Sequence, residues 1–199
     1  MPNWCENTVT MYGDENSLQE CFDKFGGNEE TIDFDRIIPT PKELEEVIAV
    51  ATLSEDVQLL KDEKAGKEIP ENDKKRLDSM LEDNISYRQN AEKSLFCLEH
   101  YGASSWYDWH VEHWGTKWNA NTEDFGFPCW WSTYHGKPSC HFVFYTPWVA
   151  PLPIIEKLSS MYPKLTFRLN EREGGNGIDN VYVFRNGRLI KRVEYHKSC

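Results

Sequence analysis

Apolar residues near the start of the chain follow two periods in turn. Across 7–13, Val9 and Met11 alternate with Thr8, Thr10 and Tyr12, the two-residue repeat of a half-buried strand that Gly13 ends. Leu18, Cys21, Phe22 and Phe25 then recur at i, i+3, i+4 and i+7. That spacing predicts a helix, with Ser17 and Glu20 at capping-box spacing and Gly26-Gly27 as its stop. Ile32, Phe34, Ile37 and Ile38 in "TIDFDRIIP" return to strand character, so the opening reads β-α-β.

From residue 40 the texture becomes charged and helical. Thr40, Pro41 and Glu43 supply a cap, a first-turn proline and a reciprocal acid, ahead of an apolar stripe of Leu44, Val47, Ile48 and Ala51. A second helix is expected from about Asn72 to Leu98, with Leu77, Met80, Leu81 and Ile85 on one face. Residues 40–102 therefore read as a helical insertion within a single domain spanning 1–199.

Beyond it, Ser105 with Asp108 starts a short helix that Gly115 ends. The stretch 121–139 reads as irregular. Residues 140–148 are rich in β-formers, and Ile154, Ile155, Leu158, Met161 and Tyr162 follow at helical spacing. Leu165, Phe167 and Leu169 alternate as a further strand, and two alternating runs flank Asn186-Gly187, a strong hairpin signal. The order β-α-β, insertion, β-α-β and hairpin predicts an α+β fold: a ferredoxin-like split β-α-β antiparallel sheet.

Composition narrows the function classes. The net charge of -11 argues against nonspecific nucleic-acid binding, because such proteins neutralise phosphates with clustered Lys and Arg. The charge is uneven: residues 151–199 carry a net of +4 and residues 1–150 a net of -15, which leaves room for a basic patch near the C-terminal end. Six cysteines without a C-x-x-C pair read as free thiols of a reducing cytoplasm, and no apolar run approaches a membrane span.

Four stretches together resemble a known family. They are "MPNWCEN" at the start, "IIPTPKEL" at 37–44, "WGTKWNA" at 114–120, and "TPW" followed by "PLPIIEKLSSMYPKLTF" at 146–167. In order and spacing they are similar to the YubB-like phage and plasmid proteins with a ferredoxin-like domain. The resemblance implies that topology, with no iron–sulfur cluster, and an accessory role in phages or mobile elements. Where the family usually continues Trp-Ser-Pro-Pro, this chain has Trp148-Val149-Ala150-Pro151.

No P-loop, dinucleotide fingerprint or nucleophile elbow is present in the sequence, and the glycines at 174, 175 and 177 read as a turn between strands. Cys5 is the candidate nucleophile if the fold brings a histidine beside it. His110 and His113 lie at i, i+3 and would need a cysteine or carboxylate to hold zinc; the expectation is that they are structural, with no cofactor. What remains is aromatic density. Trp114 and Trp118 bracket Lys117, which can lie on an indole face or meet an anionic ligand, and the Gly115-Thr116-Lys117 turn stays open between a site and a structural corner.

The expected function is a non-catalytic binding protein recognising a host or phage protein, or a small ligand, but no membrane, through Asn3, Trp4, His113, Trp114, Lys117, Trp118 and Trp148. The alternatives are a metal- or histidine-dependent hydrolase using His110 or His113, and an acidic DNA mimic. Interleaved lysines in 61–76 weigh against the mimic.

Overall fold

The computed structural model describes residues 3–25, 32–82, 84–122 and 129–195. In chain order its elements are β1 (Trp4–Gly13), α1 (Glu15–Phe25), α2 (Phe34–Ile37), α3 (Lys42–Glu45), α4 (Leu53–Lys64), α5 (Glu71–Leu77), β2 (Met80–Glu82) and β3 (Ile85–Ser86). There follow α6 (Tyr87–Tyr101), α7 (Trp106–His113), β4 (Cys129–Tyr134), β5 (Lys137–Pro147), α8 (Leu152–Met161), β6 (Leu165–Glu173), β7 (Ile178–Arg185) and β8 (Arg188–Glu194). They form two compact units, Met1–Pro39 with His110–Cys199, and Thr40–Trp109.

The first unit is ferredoxin-like. Its sheet has the order β4-β5-β1-β6-β7-β8, and every neighbouring pair is antiparallel. The first four positions are the split β-α-β arrangement, in which β1-α1-β4 and β5-α8-β6 interleave; β7 and β8 extend it as a hairpin. Directly opposed residues share a sheet face. Val9, Phe142 and Leu169 form one such row, and Met11, Phe167 and Phe184 another. All six are buried, with Leu18 and Phe25 of α1 and Ile154, Ile155 and Leu158 of α8. Burying each such side chain contributes about 1.5–3 kcal/mol, which makes this face the folding core.

The second unit is helical. Val57, Leu60, Leu77, Ala91 and Leu95 from α4, α5 and α6 make its apolar cluster. Buried Asp56 pairs with Arg76 and accepts from Thr52 Oγ1 at 2.9 Å, so its charge is compensated where water is excluded.

Several expectations are corrected. "TIDFDRIIP" is not a strand: Phe34–Ile37 is a short helix, because Asp33 caps it by accepting from the Asp35 N–H, and Ile32, Phe34 and Ile37 then point into the core. The strand that belongs second in the fold is β4, inside the stretch read as irregular. It turns into β5 through His135 and Gly136, whose φ values of 51° and 72° are those of a tight hairpin turn. The expected 72–98 helix is broken after Leu77, and α6 restarts behind a capping box of Ser86 and Gln89. The stripe from Leu44 is likewise split between α3 and a turn before α4. Asn186 and Gly187 do form the expected turn, with φ of 50° and 67°. The Gly26-Gly27 stop, residues 123–128 and Cys199 lie outside the described residues.

Candidate functional site

The "WGTKW" stretch leaves the end of α7 and runs past the end of the β1–β5 pair. Trp114 is its anchor. It is buried, its indole N–H donates to the Ile38 carbonyl at 2.9 Å, and its ring stacks on His110 at 3.6 Å and meets Phe34 edge-on at 5.7 Å. His110 is fixed as well, since its Nδ1 lies 3.0 Å from the Lys117 carbonyl; that oxygen can only accept, so Nδ1 carries the proton. Helix end and turn thus lock each other.

Gly115 makes the turn possible. Its φ is 79°, and a Cβ there would lie 2.8 Å from Cδ of Pro153. Gly115→Ala is therefore expected to cost about 2–4 kcal/mol, from left-handed strain plus a clash with a rigid ring. Urea unfolding measures this; a loss under 0.5 kcal/mol would show that the turn tolerates rearrangement. Thr116, also buried, donates to the Pro147 carbonyl at 3.2 Å and ties the turn to the end of β5.

From this base Lys117 and Trp118 face outward. Lys117 Nζ sits 4.4 Å from the centroid of the Trp118 ring, in cation–π geometry. Trp118 is 38% exposed and lies 6.0 Å from Trp4, itself 39% exposed, which in turn is 6.4 Å from Tyr145. Asn3 is beside them, its carbonyl accepting from the Trp148 N–H at 2.8 Å; Trp148 holds a φ of 64° and is exposed. Of the seven residues singled out in the sequence, the structure brings Asn3, Trp4, Lys117, Trp118 and Trp148 to one end of the sheet. Trp114 supports them from inside, and His113 instead lines a shallow groove with Ile38, Glu112, Pro153, Glu156 and Lys157.

The neighbouring end of the core face is polar, a feature that residue spacing had not exposed. Buried Glu171 accepts from the Ala150 N–H at 2.9 Å, the Asn180 amide at 2.8 Å and the Tyr182 hydroxyl at 2.9 Å. Cys5 lies against it with Sγ 3.9 Å from Oε1. Burial first, and then the Glu171 charge, push the Cys5 thiol up to about 12. At neutral pH Cys5 is a protonated core thiol, the opposite of an activated nucleophile. Asn7 and Thr146 complete the network with a 2.7 Å bond. Pairing by strand register was the missing signal, because it places Asn7 opposite Glu171 across β1 and β6. Among the described residues no group of three or more His, Cys, Asp or Glu is placed to hold a metal ion. Among the same residues, no helix is long and apolar enough to cross a membrane.

Comparison with curated proteins gives no match. Among solved structures, the crystal structure of protein api92 from Yersinia pseudotuberculosis is similar at 14% identity and a TM-score of 0.47, over 100% of both chains. Residues 113–196, which hold the WGTKW turn and β4 to β8, match the family model of the ferredoxin-like domain in Api92-like proteins.

Proposed function

We propose that this chain is a non-catalytic binding protein that engages its ligand through the aromatic ridge of Trp4, Lys117 and Trp118. One observation carries the reading: two large exposed indoles from separate segments stand 6.0 Å apart with an ammonium over one of them, on a base held by buried Trp114 and Gly115. Exposed tryptophan forfeits burial energy, and holding it rigid lowers the ordering cost of binding. Rings with an adjacent cation suit a ligand that is both flat and anionic. Asn3 and Trp148 border the ridge and belong to its contact surface. An accessory role in a phage or mobile element is part of the proposal and rests on the sequence resemblance alone.

The test uses anilinonaphthalene sulfonate, an aromatic anion whose fluorescence reports binding. Saturable binding to the native protein, weakened at least tenfold by Trp4→Ala with Trp118→Ala, supports the ridge. An unchanged isotherm in that double variant, with the fold intact by circular dichroism, would overturn it.

A further inference from the structure

We infer that the sheet face opposite α1 and α8 binds single-stranded nucleic acid, an inference that rests on the binding reading above and names its ligand. Register assigns this face residue by residue. Across β1, β5 and β4 it carries Tyr12 with Tyr134, His141 with Trp130, and Tyr145 beside Trp4. Tyr12 and Tyr134 are 4.9 Å apart, and Trp130 stacks on His141 at 4.9 Å and 1°. His141 is itself pinned by Thr10 at 3.0 Å and Ser139 at 3.1 Å. Half of the face is thus a ring platform, with Trp130 41% exposed.

The other half is cationic. Arg168 and Arg172 of β6 share this face with Arg185 of β7 and with Arg188 and Lys191 of β8, because Arg168 pairs with Val183, Val183 with Lys191, and Arg185 with Arg188. Lys137 adds a sixth base at the β4 edge. Among the described strand residues of this face only Glu6 and Asp179 oppose them, and Asp179 lies 3.8 Å from Arg172. Six bases against two acids among the described strand residues of this face, in a chain of net charge -11, is charge segregation that solubility does not require.

Rings on one side and guanidinium groups on the other match the two chemistries of a single strand, bases that stack and phosphates that need neutralising. Six strands about 4.8 Å apart span roughly 24 Å, enough for a site of at least about four nucleotides. A duplex hides its base faces in the stack, so only the single strand uses both halves. An acidic protein would use the cations and leave the rings idle. Nucleic acid therefore enters as a partner on one face, despite the charge of the whole chain.

Fluorescence anisotropy with labelled 12-mer oligo-dT and oligo-U, and a DNA duplex of equal length, tests this at 50 and 200 mM salt. Expected are saturable binding of one or both single strands, a preference over duplex of at least fivefold, and weakening at the higher salt. Arg168→Glu with Arg185→Glu should weaken binding more than tenfold and Trp130→Ala about tenfold, whereas Lys75→Glu, on α5, should leave it unchanged. Circular dichroism checks that each variant folds. No anisotropy change at 50 mM salt, equal effects of Lys75→Glu and the arginine pair, or equally tight binding of poly-glutamate would overturn the inference. Sulfonate binding at Trp4 and Trp118 without oligonucleotide binding would sink the nucleic-acid assignment and leave the ridge standing; loss of both would sink both.

Discussion

Trp114→Ala is expected to destabilise the ferredoxin-like unit by about 3–5 kcal/mol, whereas Trp118→Ala, four residues on, should cost less than about 1 kcal/mol. The two share a residue type and a turn, and differ in what surrounds them. Trp114 is 3% exposed, donates to the Ile38 carbonyl, stacks on His110 and meets Phe34 edge-on, so truncation leaves a cavity and removes the donor from the partly buried Ile38 carbonyl. Trp118 is 38% exposed, and its truncation removes ring contacts with Trp4 and Lys117 at the surface. Urea denaturation followed by far-UV circular dichroism reads both changes. Equal losses would mean that the turn is one packed corner without an outward half.

The same pair shows how far the sequence could be read. Density of tryptophan and glycine marked 114–118 as special, but a linear pattern does not say which of two indoles turns inward. That is decided by Gly115, whose left-handed φ and close approach to Pro153 depend on α8, many residues away. Most strands of the sheet were legible because Val9 and Met11, or Phe167 and Leu169, alternate against polar neighbours. β4 was not, since "CWWSTY" sits at a sheet edge, where its exposed faces remove the alternation of burial. "TIDFDRIIP" failed for the converse reason: its apolar spacing suits either period, and Asp33 as a cap settles it. The polar network at Glu171 and the basic sheet face both depend on cross-strand register. A C-terminal excess of Lys and Arg hinted at the second, yet only pairing of β6, β7 and β8 puts Arg168, Arg185 and Lys191 on one side.

Stability should fall steeply on the alkaline side, between about pH 9 and 12. Burial, aided at Cys21 mainly by Cys140 and at Cys140 by Cys129, pushes the Cys21 and Cys140 thiols up to about 12, the value Cys5 also reaches. The phenols of Tyr162 and Tyr182 rise to about 12, again through burial first, with Cys21 next for the one and Glu171 for the other. Thiols in the unfolded chain ionise near 9 and phenols near 10. These acids are neutral when protonated, so the folded state holds their protons over a range where the unfolded state has released them. The stabilisation is complete below about pH 9 and is lost as pH rises toward the folded-state values, by up to about 1.4 kcal/mol per group for each pH unit. Far-UV circular dichroism against pH should show a cooperative loss of structure in that window. Thiolate absorbance of Cys5, Cys21 and Cys140 should appear together with unfolding, not ahead of it near pH 9. Early titration of these three thiols in a protein that keeps its fold would show that the core face admits hydroxide, which its packing against α1 and α8 forbids.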